Sequence, residues 1–303
     1  MKVAVIGIGS NSVRALLAEA GDGRFVRISR DREGTRLFAG KGPDGCLSEE
    51  SMRTTGAAVC RMAESLRASG VQALHLFATS AVRDAVNREA FSERLRQSAG
   101  LEMEIVSGER EAELSFLGAR SAAGTDGRCG MIDIGGGSTE IAVGTDREAE
   151  MMFSCQMGAV RLQQEFPIRS RQDMARVEET ARTILERKLA EAGDPGHPEA
   201  WVGTGGTFTT LAAMIRRVNW TDRTFMHGTR ITPAEVREIG EMLADMDPED
   251  RKKLPGMQPH RADIVVHGIC ILLAVMGRLT IPEITVSEYG NLDGYLLEKY
   301  GKG

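Results

Sequence analysis

The sequence predicts an α/β protein of two domains that repeat one structural unit. Three observations carry this. An apolar strand running into glycines, then hydroxyl residues, then a second apolar stretch occurs at Ile6-Gly7-Ile8-Gly9-Ser10-Asn11-Ser12. It recurs at Ile132-Asp133-Ile134-Gly135-Gly136-Gly137-Ser138-Thr139-Glu140. Strand-like and helix-like segments alternate around both copies, which favours strands packed under helices. The 303 residues, 42% of them hydrophobic, suffice for two cores rather than one.

In chain order, residues 2–30 predict strand, glycine turn and strand. A third strand over Arg24 to Ser29 follows, entered through a hairpin turn at Gly21-Asp22-Gly23. Ser48 can cap a helix running to about Ala68, because Met52, Gly56, Val59, Met62, Ala63 and Leu66 fall near one face. Ala73 to Thr79 reads as a short strand, Asn87 to Ser98 as a helix, Glu102 to Ser107 as a strand and Glu109 to Arg120 as a helix. Ser121 to Gly127 is rich in small residues, and the strand–glycine–strand pattern restarts directly after it. The expected boundary therefore divides residues 1–121 from residues 122–291. The second half adds strands to about Phe153, a helix over Gln172 to Ala192, a linker at Gly193 to Pro198 and a glycine turn at Gly203 to Thr207. That turn opens a helix to Ile215, and the apolar run Ile264 to Met276 reads as a buried helix.

With 43 acidic and 38 basic residues the formal net charge is −5, which argues against a dedicated nucleic-acid binder. The five cysteines show neither a CxxC pair nor zinc spacing, so buried, reduced thiols are expected. No secretory signal opens the chain, and the apolar run around His267 is too short to cross a bilayer. A cytoplasmic protein with no membrane partner is the expectation. Self-association is left open, a homodimer being one arrangement the sequence allows.

The glycine loops carry the chemistry. A strand that turns sharply at glycines lets backbone N–H groups converge on one point, and serine and threonine hydroxyls add donors, which suits a phosphate. An ordinary hairpin turn needs one or two glycines, not Gly135-Gly136-Gly137 followed by Ser138 and Thr139. Asp133 precedes that loop, where a carboxylate can hold hydrated Mg2+ beside a phosphate or merely form the turn. At Gly205, Gly206 and Thr207 the turn leads into a helix, so its amides can meet an anion. Glu111 lies in the acidic helix start Ser107-Gly108-Glu109-Arg110-Glu111. Pattern alone leaves it open between a solvated first-turn carboxylate and a catalytic base. Arg14, Arg83 and Arg161 follow glycine or Thr-Ser turns, as polyphosphate clamps would. The five histidines lack metal-ligand spacing and read as structural or surface groups.

Several of these motifs occur together in order: Gly9-Ser10-Asn11-Ser12-Val13-Arg14, Ala78-Thr79-Ser80-Ala81-Val82-Arg83, Ser107-Gly108 with Glu111-Ala112, Ile132 to Glu140, Met157-Gly158-Ala159-Val160-Arg161-Leu162, Gly203 to Thr207, His227-Gly228 and Leu254-Pro255-Gly256. The set resembles the exopolyphosphatase/guanosine pentaphosphate phosphohydrolase family of the sugar kinase–actin superfamily, in its short form without an added helical domain. The resemblance spans nearly the whole chain. It implies two actin-like (ribonuclease H-like) domains with a cleft between them, and a last helix, 292–303, that returns to the first domain. It implies Mg2+-dependent release of terminal phosphate from polyphosphate or a phosphorylated guanosine nucleotide. On the matching positions, Glu111 is the base that activates water, and Asp133 and Glu140 belong to the metal and catalytic cluster. Ser10, Asn11, Ser12, Gly135, Gly136, Gly137, Ser138, Thr139, Gly205, Gly206 and Thr207 hold phosphate, with Arg14 and Arg83 as clamps. A transferase is disfavoured by the short chain and the resemblance to phosphatases.

Two departures stand out. Gly7 replaces an aspartate usual in the first loop. Near the end, Glu288 stands for an aspartate and Leu292 for a common arginine, with Glu288 expected to compensate in part. The missing carboxylate motivates an alternative: a catalytically weak protein that binds polyphosphate or a phosphorylated guanosine nucleotide as a sensor.

Overall fold

The computed structural model describes residues 1–21, 24–145, 148–222 and 225–301. Two sheets of matching topology form the frame. The first contains β1 (Lys2–Ile8), β2 (Val13–Gly21), β3 (Arg24–Glu33), β4 (Ala73–Ala78) and β5 (Met103–Ile105) in the order β3-β2-β1-β4-β5. The second contains β6 (Cys129–Ile134), β7 (Thr139–Gly144), β8 (Ala149–Cys155), β9 (Ala200–Thr204), β10 (Arg230–Ile231) and β11 (Ile284–Val286) in the order β10-β11-β9-β6-β7-β8. In each, the leading strand pairs antiparallel with the next and parallel with a later strand that returns through a helix. The glycine loops are superposable in logic: Gly9 N–H donates to Ser12 O and Gly135 N–H to Ser138 O, both at 3.0 Å. In this register Gly7 lies opposite Arg14 as Asp133 lies opposite Glu140, so Gly7 is the first domain's counterpart of Asp133. Of the predicted turn at 21–23, Asp22 and Gly23 lie outside the described residues.

Helices cover the sheets. In the first domain these are α1 (Glu49–Ala68), capped by Ser48, the short α2 (Ser80–Arg83), α3 (Arg88–Ala99) and α4 (Gly108–Ala119), capped by Ser107. The second domain carries α5 (Ala159–Glu165), α6 (Arg171–Ala192), α7 (Gly206–Arg216), α8 (Pro233–Ala244), α9 (Pro248–Arg251) and α10 (Val265–Arg278). Residues 265–276 of α10 are buried all round, which explains why that apolar run shows no polar face. Among the described residues no helix is long and apolar enough to cross a membrane. None of the five cysteines is paired in a disulfide, and Cys129, Cys155 and Cys270 are buried.

The chain passes between the domains at two places. The first follows α4, through a 3-10 turn at Arg120–Ala122 into the loop before β6; the second runs from β11 to α11 (Asn291–Tyr300). Leu292, Tyr295 and Leu296 of α11 pack with Val3, Val5, Leu16, Phe77 and Leu114 of the first domain. Helices α4 and α11 meet backbone to backbone: a Cβ at Gly294 would fall 1.8 Å from Leu114 O, and one at Gly118 would fall 2.0 Å from Gly290 O.

Candidate active site

The glycine–hydroxyl loops stand on opposing walls of a cavity of about 390 Å3, which Ser10, Asn11, Ser12 and Arg14 line from the first domain and Gly135, Gly136 and Ser138 from the second. The loops nearly touch, since a Cβ at Gly136 would fall 2.9 Å from that of Ser10. Among the described residues, no backbone acceptor takes the N–H groups of Ser10, Asn11, Gly136 or Gly137. Both side-chain polar atoms of the buried Asn11 also lack partners. Buried donors without partners are costly, so a surface of this kind is complementary to an anion. The third glycine turn closes the floor. Gly205 adopts φ +93, and a Cβ there would fall 2.6 Å from Asp133 Oδ1, so a side chain is excluded by conformation and by space.

Three carboxylates gather beneath the loops. Helix α4 presents Glu111 and, one turn later, Ser115 on the same face. Arg83 Nη1 lies 3.0 Å from Glu111 Oε2 and also donates to Val106 O at 3.1 Å. Burial pushes the Glu111 carboxyl up to about 7; Arg83 opposes that shift and the nearby Asp133 adds to it. Ser115 Oγ donates to Asp133 Oδ2 at 2.8 Å. Burial raises Asp133 as well, against the pull of Arg14, the Ser115 hydrogen bond and Arg261. Glu140, directly across the strand pair from Asp133, accepts from Ser154 Oγ at 2.7 Å on Oε1. Burial first, then Glu111 and Asp133, hold it well above the usual carboxylate range.

Not every residue expected at the phosphate reaches the cavity. Thr139 donates its buried hydroxyl to Met157 O at 2.5 Å, and Gly137 packs against Ser80 and Ser10. Thr207 lies under α10, within contact distance of Gly268. Arg83 and Glu140 stand behind the wall, while Glu111, Asp133, Gly205 and Gly206 line it. Arg161 bridges the domains, donating to Gly137 O at 2.7 Å and pairing with Asp84 at 2.7 Å. Among the described residues no histidine lines the cavity; His260 and His267 are pushed by burial down to about 3 and about 4.

Sequence reasoning passed over several lining groups. Arg261 is buried over Gly206, its Nε has no partner, and burial followed by Arg14 lowers it to about 10. Arg32 joins Ser12 Oγ at 3.2 Å to Gln258 Oε1 at 2.9 Å. Ser80 shares a 2.9 Å hydrogen bond with Ser10. No glycine turn precedes Arg32 or Arg261, so only the Thr79-Ser80 turn carried a local signal. The two departures prove to be neighbours. A Cβ at Gly7 would meet Phe77 at 3.3 Å and Leu292 at 3.6 Å, and Gly7 does not have a positive φ. Glu288 instead lies beside Arg30, at 3.7 Å.

Among the described residues no group of three or more His, Cys, Asp or Glu side chains is set to coordinate a metal. The donor chemistry is nevertheless that of a hard cation. Asp133 opposes the ionisation of Glu111, and both oppose that of Glu140, whose Oε2 has no hydrogen-bond partner. Oxygen-only donors under mutual repulsion fit Mg2+ and do not fit a thiolate- or imidazole-preferring metal.

Comparison with known proteins is consistent along the whole length. The model of the Ppx/GppA phosphatase family matches residues 16–302. Exopolyphosphatase 2 of Mycobacterium tuberculosis is 32% identical over 317 residues, covering 99% of each chain. The solved PPX-GPPA enzyme of Aquifex aeolicus is 28% identical with a TM-score of 0.82, covering 98% of this chain and 99% of that one. An exopolyphosphatase from Cytophaga hutchinsonii is 25% identical with a TM-score of 0.86, covering 100% and 99%.

Proposed function

The chain belongs to the Ppx/GppA phosphatase family, and from that premise we propose that it releases the terminal phosphate of inorganic polyphosphate, guanosine pentaphosphate or both. We also assign each domain to the actin-like (ribonuclease H-like) class, which agrees with the repeated sheet order. The observation that carries the functional reading is the Glu111 carboxyl, held at about 7 beneath two opposed anion-binding loops. A base so tuned is half-ionised near neutrality, where it can take a proton from water without being too weak to do so.

In this reading the loop N–H groups of both domains and the guanidinium groups of Arg14 and Arg261 hold the terminal phosphates and fix their orientation. Glu111 accepts a proton from the water that attacks the terminal phosphorus, and the phosphate chain shortened by one unit departs. The same N–H donors face the equatorial oxygens, where charge is greatest in the transition state. Arg83 keeps Glu111 directed at the cavity, and Ser115 does the same for Asp133. Asp133, on the cavity wall, would hold Mg2+ with Glu140 supporting it from behind, and the contribution of the ion would be neutralisation of the phosphate oxygens.

The test is phosphate release measured side by side on long polyphosphate, short polyphosphate, guanosine pentaphosphate and ATP under saturating Mg2+. Release from a phosphate chain or the guanosine nucleotide is expected. Tight binding of those compounds with no release would establish the sensor reading motivated by Gly7.

A further inference from the structure

We infer that Arg36 is a positioning residue for the Ser10–Ser12 loop, acting through an ion pair with Asp263 of the opposite domain. The inference rests on the assignment of that loop as a phosphate cradle. Its first support is backbone conformation. Among the described residues only Arg36, Arg217 and Thr280 combine a side chain with a positive φ. Arg217 caps the end of α7 and Thr280 lies just past α10, where a left-handed residue is the ordinary way to stop a helix. Arg36 follows no helix. It precedes the 3-10 turn Leu37–Gly40, at φ 52 and ψ 38, and so has no such explanation.

What this conformation achieves is visible in two hydrogen bonds. Arg36 N–H donates to Asn11 O at 3.1 Å, and Phe38 N–H donates to Ser10 O at 2.9 Å. A trans peptide holds its N–H opposite its carbonyl. Anchoring the Ser10 and Asn11 carbonyls on this segment therefore turns the N–H groups of Asn11 and Ser12 away from it, on a loop that lines the cavity. The segment acts as a strap across the back of the cradle.

The strap is fastened to the other domain. The Arg36 guanidinium pairs with the Asp263 carboxylate, both side chains being partly exposed. Asp263 lies two residues beyond the cavity-lining Arg261. Arg32, at the other end of the strap, repeats the link, joining Ser12 Oγ to Gln258 Oε1. Approach of the second domain is thereby transmitted to the backbone of the first loop, and the two halves of the phosphate grip are set together.

Four variants separate this role from a merely structural one. Arg36→Gly keeps the left-handed backbone at no steric cost and removes the whole side chain, the guanidinium with it. Asp263→Asn removes only the charge, and the exchanged pair Arg36→Asp with Asp263→Arg restores attraction, aspartate being tolerated at positive φ. The readouts are the Kd for tripolyphosphate by calorimetry, KM and kcat on polyphosphate, and the unfolding midpoint without ligand. Each single variant is expected to raise Kd and KM about two- to fivefold, the range open to a partly exposed ion pair. The variant carrying both single changes should be no worse than either alone, the exchanged pair should recover, and kcat and the midpoint should hold. Losses that multiply in the combined variant, or a lowered midpoint with unchanged Kd, would overturn the inference. Kd shifts as expected in a protein that releases no phosphate would sink the hydrolase assignment and leave the positioning role standing.

Discussion

Glu111 and its neighbours show what the site costs the fold. In the folded protein Glu111 keeps its proton up to about 7, whereas the unfolded chain loses it in the usual carboxylate range. Between those limits the native state binds more protons, so stability is full at acid pH and falls as pH rises through that window. Glu111→Gln is therefore expected to raise the unfolding midpoint at pH 8 and to leave it nearly unchanged at pH 4. Turnover should fall by about 10²–10⁴, the range for loss of a general base. A lower midpoint at pH 8, or turnover near wild type, would remove Glu111 from this role. Wild-type turnover should rise with pH through about 7, because the ionised form is the active one. Asp133→Ala should reduce activity and shift the Mg2+ titration midpoint together; an unshifted midpoint would leave Asp133 as a partner of Ser115 alone. At this scale the sequence showed the glycine loops plainly, because turn chemistry is local. It could not show that Thr139 turns its hydroxyl to Met157, nor that Arg32 meets Gln258, since 226 positions separate that pair and only the fold joins them.

Among elements, the long periodic ones were legible. The expected helices over 48–68 and 172–192 lie at Glu49–Ala68 and Arg171–Ala192, and the buried run at 264–276 lies in Val265–Arg278 with Ile264 as its N-cap. Strands β10 and β11, of two and three residues, are too short to display a period. Helix α8 opens with a capping box at Thr232 and Glu235, a signal local to the sequence. The return of the last helix to the first domain was expected, but not that Leu292 lies against Gly7 of β1, which changes the expectation for Gly7. In Gly7→Asp the extended backbone adds no strain, and the new carboxylate would face Phe77 and Leu292. The single change is expected to destabilise by about 3 kcal/mol, as an uncompensated buried charge does. Adding Leu292→Arg should recover most of that loss by supplying a partner. Chemical denaturation of both variants checks this, and a stable single variant with higher activity would refute it.

For the molecule as a whole, the central question is whether the halves move. Arg36 with Asp263, Arg161 with Asp84, and Arg27 with Asp293 bind one domain to the other or to the second crossing. The first two are partly exposed pairs, individually weak and weakened further by salt, whereas Asp293 is buried beneath Arg27. The two crossings, in contrast, meet at the closely packed α4 and α11, which can serve as a pivot. Rotation of nearly rigid domains on binding is expected. Solution scattering with and without a non-hydrolysable polyphosphate analogue should show a more compact particle with ligand; an identical profile at confirmed saturation would mean a preformed cleft. The two-domain plan was legible because one motif occurs twice, whereas the contacts that set the closure angle join residues remote in sequence. The packing of α11 on Val3, Val5 and Phe77 has one further consequence, which concerns the order in which the protein is made. A ribosome finishes β1 long before α11, whose residues cover one of its faces. Until α11 emerges the first sheet carries an exposed apolar surface, so termination before residue 291 would leave a part of the chain made long before the break, not the part beside it, as the sticky one.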